Sequence, residues 1–73
     1  MEKNIKYDAL LELKDITYRS GGTIVAHGNV YADRKNRFED GDSIHTSYIL
    51  FYDYENQIIV TRNTTYKIIG RIF

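Results

Sequence analysis

The stretch RFEDGDSIHTSYILFYDY, residues 37–54, decides how this chain folds. Asp40-Gly41 is a turn dipeptide, because aspartate bonds its own backbone and glycine supplies a positive φ angle. Residues 43–54 then read as one long strand, but its parity breaks. Ile44 and Ile49 are five apart, so a flat strand would point them to opposite faces. A bulge near Thr46-Ser47 is the expected device for returning both to one side. The second half, Tyr48-Ile49-Leu50-Phe51-Tyr52, is apolar on both sides, which asks what covers the second side.

Working outward, the first six residues are polar. The run from Tyr7 to Ser20 is ambiguous, since Leu11, Leu13, Ile16 and Tyr18 keep no clean helical stripe while Ile-Thr-Tyr favours a strand. A strand over residues 10–18 is the expectation, with a short helix as its competitor. Ser20-Gly21-Gly22 reads as a tight reversal. TIVAHGNVY alternates as a second strand, with Ile24, Ala26, Gly28 and Val30 on one face and Val25, His27, Asn29 and Tyr31 on the other. Beyond the mixed-charge loop 32–42 and the long strand come a turn at 54–57, a strand at 58–61, a turn at 62–64 and a last strand at 65–72. The expected fold is all-β: one domain over residues 1–73, built as a strongly curved antiparallel sheet or small open barrel of about five strands.

Composition narrows the chemistry. The chain of 73 residues has no cysteine, which excludes disulfides and thiolate metal sites. Ten Lys and Arg balance ten Asp and Glu, so a nucleic-acid site would have to gather its cations on one face. The N-terminal residues lack the apolar core of a signal peptide, and no run approaches the roughly 20 apolar residues of a membrane span. A soluble cytoplasmic protein with no cofactor is the expectation.

So small a chain buries little surface, and such chains commonly gain stability from a partner subunit. Ile58-Ile59-Val60 and Ile68-Ile69 repeat the two-sided apolar pattern of residues 48–52, and a second copy is the expected cover. Tyr48, Leu50, Tyr52, Ile69 and Phe73 are the candidate homodimer contacts. His27 and His45 sit within strands without a recognisable nucleophile and orienter, so no catalytic residue is assigned. Residues 39–43 cluster carboxylates but lack the ligand spacing of a calcium loop. The loop 32–42 offers Arg34, Lys35 and Arg37 as partner-binding cations, since binding residues concentrate on loops held by a rigid sheet. Tyrosines together with Arg34, Lys35, Arg37, Arg62 and Arg71 keep a nucleic-acid-binding small barrel as the alternative.

RFEDGDSIHTSYI followed by IIVTRNTTYKI resembles a pattern of small bacteriophage and prophage proteins, over about residues 37–70. The resemblance implies a cofactor-free accessory protein that binds a host protein, including components of bacterial antiviral defence. Its further implication is a minor phage structural or assembly role. The pattern also has a physical reading, in which Asp40-Gly41 turns the chain, Thr46 and Ser47 satisfy distorted backbone, and the 62–64 turn brings Tyr66 towards Ile44.

Overall fold

The structure, a computed structural model, describes residues 6–71. They form six strands, β1 (Ala9–Tyr18), β2 (Ile24–Tyr31), β3 (Asp42–His45), β4 (Ile49–Asp53), β5 (Ile58–Thr61) and β6 (Thr65–Arg71), with one 3₁₀ turn at Ser20–Gly22. All six belong to one sheet in the order β3-β2-β1-β6-β5-β4, which is not closed into a barrel. The first segment is a strand and not a helix. The Ser20–Gly22 reversal carries positive φ at Gly21 and Gly22, as its two glycines require.

The long strand expected over residues 43–54 is two strands, and they lie at opposite edges of the sheet. Every neighbouring pair is antiparallel except β1 and β6, which are parallel. Those pairings make β3 and β4 run the same way, so the chain leaves one edge of the sheet and enters the other without reversing. A flat sheet of six strands would hold its edges about 24 Å apart. The four Cα steps from His45 to Ile49 reach at most about 15 Å. The sheet must therefore curl until its edges nearly meet. The distortion at Thr46-Ser47 is this corner, and not the bulge read from the parity. Ile44 and Ile49 do pack against the same core, as their pattern demanded.

The bulges lie elsewhere. Register shifts make Lys14 the extra residue in β1, Leu50 in β4 and Ile69 in β6, and all three are exposed. Each extra residue bends its strand and adds twist. The bulge at Lys14 resolves the ambiguity of β1. It puts Leu11, Leu13 and Ile16 opposite Val30, Gly28 and Ala26, all on the concave side. Gly28 is needed there, because a Cβ would stand 2.2 Å from the Glu12 carbonyl oxygen.

The core fills the concavity with Ala9, Leu11, Leu13, Ala26, Val30, Ile59, Tyr66 and Ile68. Ile16, Phe38, Ile44, Ile49 and Tyr52 close over it. Thr46 fastens the corner: its amide donates to the Ala26 carbonyl at 2.8 Å, and its Oγ1 accepts from the Ala26 amide at 3.0 Å and donates to the Ser47 carbonyl. Among the described residues, every buried side-chain nitrogen and oxygen has a partner.

Candidate functional site

The loop between β2 and β3 was expected to present three cations, and the structure engages each of them within the chain. Arg37 clamps Asp33, with Nε to Oδ2 and Nη2 to Oδ1 both at 3.1 Å. The amides of Arg37 and Lys35 also donate to that carboxylate, at 2.8 and 3.2 Å. Burial alone would raise the Asp33 carboxyl, but the bonds from Arg37 and from the two amides, with the guanidinium charge, outweigh it and hold the pKa at about 2. The Asp33 side chain is 1% exposed and that of Arg37 32%. Arg37 also donates from Nη1 to Thr64 Oγ1 at 2.7 Å, so the loop docks on the β5–β6 turn. Lys35 Nζ bonds the Asn63 carbonyl and lies 4.0 Å from the Asp8 carboxylate. Arg34 sits over the Tyr7 ring, 4.4 Å from its centre, and of the three is the one left with its charge unpaired by a carboxylate.

The family-like pattern therefore reads as construction. Phe38 covers the core, Asp40 Oδ1 accepts from the Ala32 amide, and Gly41 turns at φ 90° while its amide bonds the Val30 carbonyl. Thr61 and Thr64 close the second turn on each other through Oγ1 and backbone atoms. Burial raises the Tyr66 phenol, against the pull of Arg37 beside it.

The two histidines face each other across the β2–β3 pairing, with ring centres 6.1 Å apart. Thr17 Oγ1 lies 2.9 Å from His27 Nε2. Among the described residues, no three His, Asp or Glu side chains gather as a metal site.

The candidate dimer contacts do not fall on one patch. Leu50 and Ile69 are exposed as the bulged residues of β4 and β6. Tyr48 lies at the corner after Thr46, Tyr52 points to the concave side opposite Ile59, and Phe73 is outside the described residues. Phe51, absent from the sequence-based set, is 59% exposed beside Leu50 at 68%. Its partner Val60 places it on the convex side.

The feature that sequence reasoning missed is the mouth of the incompletely closed sheet. Where β3 no longer pairs with β2, the start of β2 faces β4 across a depression of about 280 Å³, floored by Ile16, Ile24 and Ile49 and rimmed by Tyr18, Tyr52 and Tyr54. A second depression of about 360 Å³ carries Arg19, His45, Tyr48, Arg62 and Asn63. Tyr18-Arg19, Ile24-Val25 and Tyr48-Ile49 each give one residue to either depression, so the two lie back to back across these segments, the tyrosine-rimmed one towards the concave side. Tyr52 and Tyr54 stack at 4.1 Å and 11°, and Arg71 lies over both rings and donates to the Tyr52 hydroxyl at 2.8 Å. Burial raises the Tyr52 phenol, with Arg71 opposing it. Tyr18-Arg19 beside a glycine turn was the available signal, an aromatic and a cation held together at a hairpin tip.

No family model matches the chain, and no curated protein or solved structure matches it. No described helix is long and apolar enough to cross a membrane.

Proposed function

We propose that this chain is a non-catalytic binding protein, a phage or prophage accessory factor that inhibits a host protein of bacterial antiviral defence and works as a cytoplasmic homodimer. The observation that carries the reading is the convex side of β4. Leu50 and Phe51 are adjacent, large and more than half exposed on an edge strand that no described helix or loop covers. Natural edge strands are usually short, charged or covered. The other edge, β3, follows that habit with Asp42 and Ser43, whereas β4 carries no charge before Asp53. An uncovered apolar edge supports self-association, and the resemblance over residues 37–70 supports the phage setting.

Light scattering tests the dimer. The wild-type protein is expected to elute with the mass of two chains at micromolar concentration, and Leu50→Lys/Phe51→Lys with the mass of one. A wild-type monomer at those concentrations removes the dimer. Affinity capture from a bacterial lysate, with the double variant as control, tests the host-protein arm. Recovery of the same proteins by wild type and variant would place the target surface away from β4, and recovery of none by the wild type would overturn the inhibitor reading.

A further inference from the structure

We propose that the mouth between the start of β2 and β4 binds single-stranded nucleic acid, its bases stacking on Tyr18 and Tyr54 and its phosphates meeting Arg19, Arg62 and Arg71. The site lies on the concave side of β4, opposite Phe51, so it is independent of the proposed dimer surface.

Charge segregation is the first support. The whole chain is electrically balanced, yet among the described residues neither depression is lined by an aspartate or glutamate. The acids among the described residues are occupied or placed elsewhere. Asp33 holds Arg37, and Asp8 faces Lys35. Asp40 and Asp42 accept from backbone amides in the β2–β3 loop. Asp15 accepts from the Ile16 amide, and Asp53 holds the Asn56 amide and Nδ2. Asp53 and Glu55 flank the rim residue Tyr54 in sequence, and neither lines a depression. Among the described residues, Arg71 over the stacked rings and Arg19 and Arg62 in the depression behind are the cations around this mouth, so neutral charge overall conceals a local positive field.

Aromatic presentation is the second support. Tyr18 is 79% exposed at the tip of the β1–β2 hairpin and Tyr54 is 65% exposed on the opposite rim. Neither contributes to the core. Tyr52 backs Tyr54 in a parallel stack under Arg71, which fixes the plane of the ring and strengthens its hold on a further planar group. A folded protein partner brings both signs of charge to an interface. A cleft floored by isoleucine and rimmed by tyrosine, with Arg71 over its stacked rings and Arg19 and Arg62 across the same segments, fits instead a polymer that alternates planar rings with negative groups. Stacking needs unpaired bases, so the ligand is single-stranded, and no base-edge reader is required.

The test is fluorescence anisotropy with a labelled twelve-nucleotide oligothymidylate, its oligouridylate counterpart and a duplex of equal length. Saturable binding to a single strand is expected, weakening about tenfold between 50 and 200 mM salt if two or three phosphates are neutralised. Tyr18→Ala/Tyr54→Ala should lower affinity at least about tenfold, since it removes both exposed stacking faces. Arg62→Glu should weaken binding several-fold. Lys14→Glu, an equal charge change at the exposed β1 bulge, should leave it unaltered. Thermal melts of each variant guard against unfolding. The proposal is overturned by no binding to either single strand, by equal or tighter binding to the duplex, or by a Lys14→Glu loss as large as that of Arg62→Glu.

Discussion

Arg37 and Thr64, 27 residues apart, are joined by a 2.7 Å hydrogen bond from Nη1 to Oγ1, and that bond ties the two halves of the RFEDG and TRNT pattern into one structural unit. Because Arg37 also clamps the buried Asp33, its side chain closes the β2–β3 loop over the β5–β6 turn. Removing one member of such a pair strands the other, a larger loss than the pair's net contribution. Arg37→Ala should destabilise by about 2–3 kcal/mol, discounting for a guanidinium one-third exposed. Arg34→Ala should change stability by less than about 0.5 kcal/mol. Urea titrations of the two variants check the contrast, and equal midpoints would deny Arg37 its structural role.

The same carboxylate sets an acid limit. The folded pKa of Asp33 is about 2 and its ordinary value 3.8, so the group is depressed on folding. Its stabilisation is fully present above about pH 5, declines as pH falls through the ordinary value, and is gone below the folded value. The shift corresponds to about 2 kcal/mol, at about 1.4 kcal/mol per unit. Asp33→Asn should flatten the decline in unfolding free energy between pH 5 and 2. An unchanged slope in that window would assign the acid sensitivity to other carboxylates.

Gly28 marks the tightest approach in the sheet. A methyl group there meets the Glu12 carbonyl oxygen at 2.2 Å and Leu11 Cδ1 at 3.1 Å. The first contact is backbone, held by the β1–β2 ladder, and yields only if the strands separate. Gly28→Ala should destabilise by about 2–3 kcal/mol, the upper range for overpacking. Gly22→Ala, where a Cβ has open space but φ is 81°, should cost about 1 kcal/mol through backbone strain alone. Differential scanning calorimetry should rank them in that order.

Thr46 offers a test of the corner. Replacing its hydroxyl with a methyl in Thr46→Val keeps the shape and leaves the Ala26 amide without its acceptor. The expected cost is about 1–3 kcal/mol. Hydrogen exchange should show the Ala26 amide losing more protection than the amides of Leu11 and Val30. Uniform loss across all three would mean that the corner does not open locally.

How far the sequence alone reached depends on how local each determinant is. The strand character of residues 10–18 and 23–31, the glycine reversal at 20–22, the Asp40-Gly41 turn and the all-β class were legible, since they follow from side-chain periodicity and from φ preferences of single residues. The shared side of Ile44 and Ile49 was legible too, because burial enforces parity. Whether that parity was restored by a bulge or by a corner was not, for both leave the same pattern in the sequence. Only the tertiary structure decides it, through a parallel β1–β6 pairing that sends β3 and β4 to opposite edges and forces the sheet to curl. The roles of the cations were likewise hidden. Arg37 and Arg19 look alike as residues, but one meets a buried carboxylate four positions away and the other stands free of acids at the rim of a cleft. Charge is written in the sequence, while the field it makes depends on which opposite charges the fold brings near.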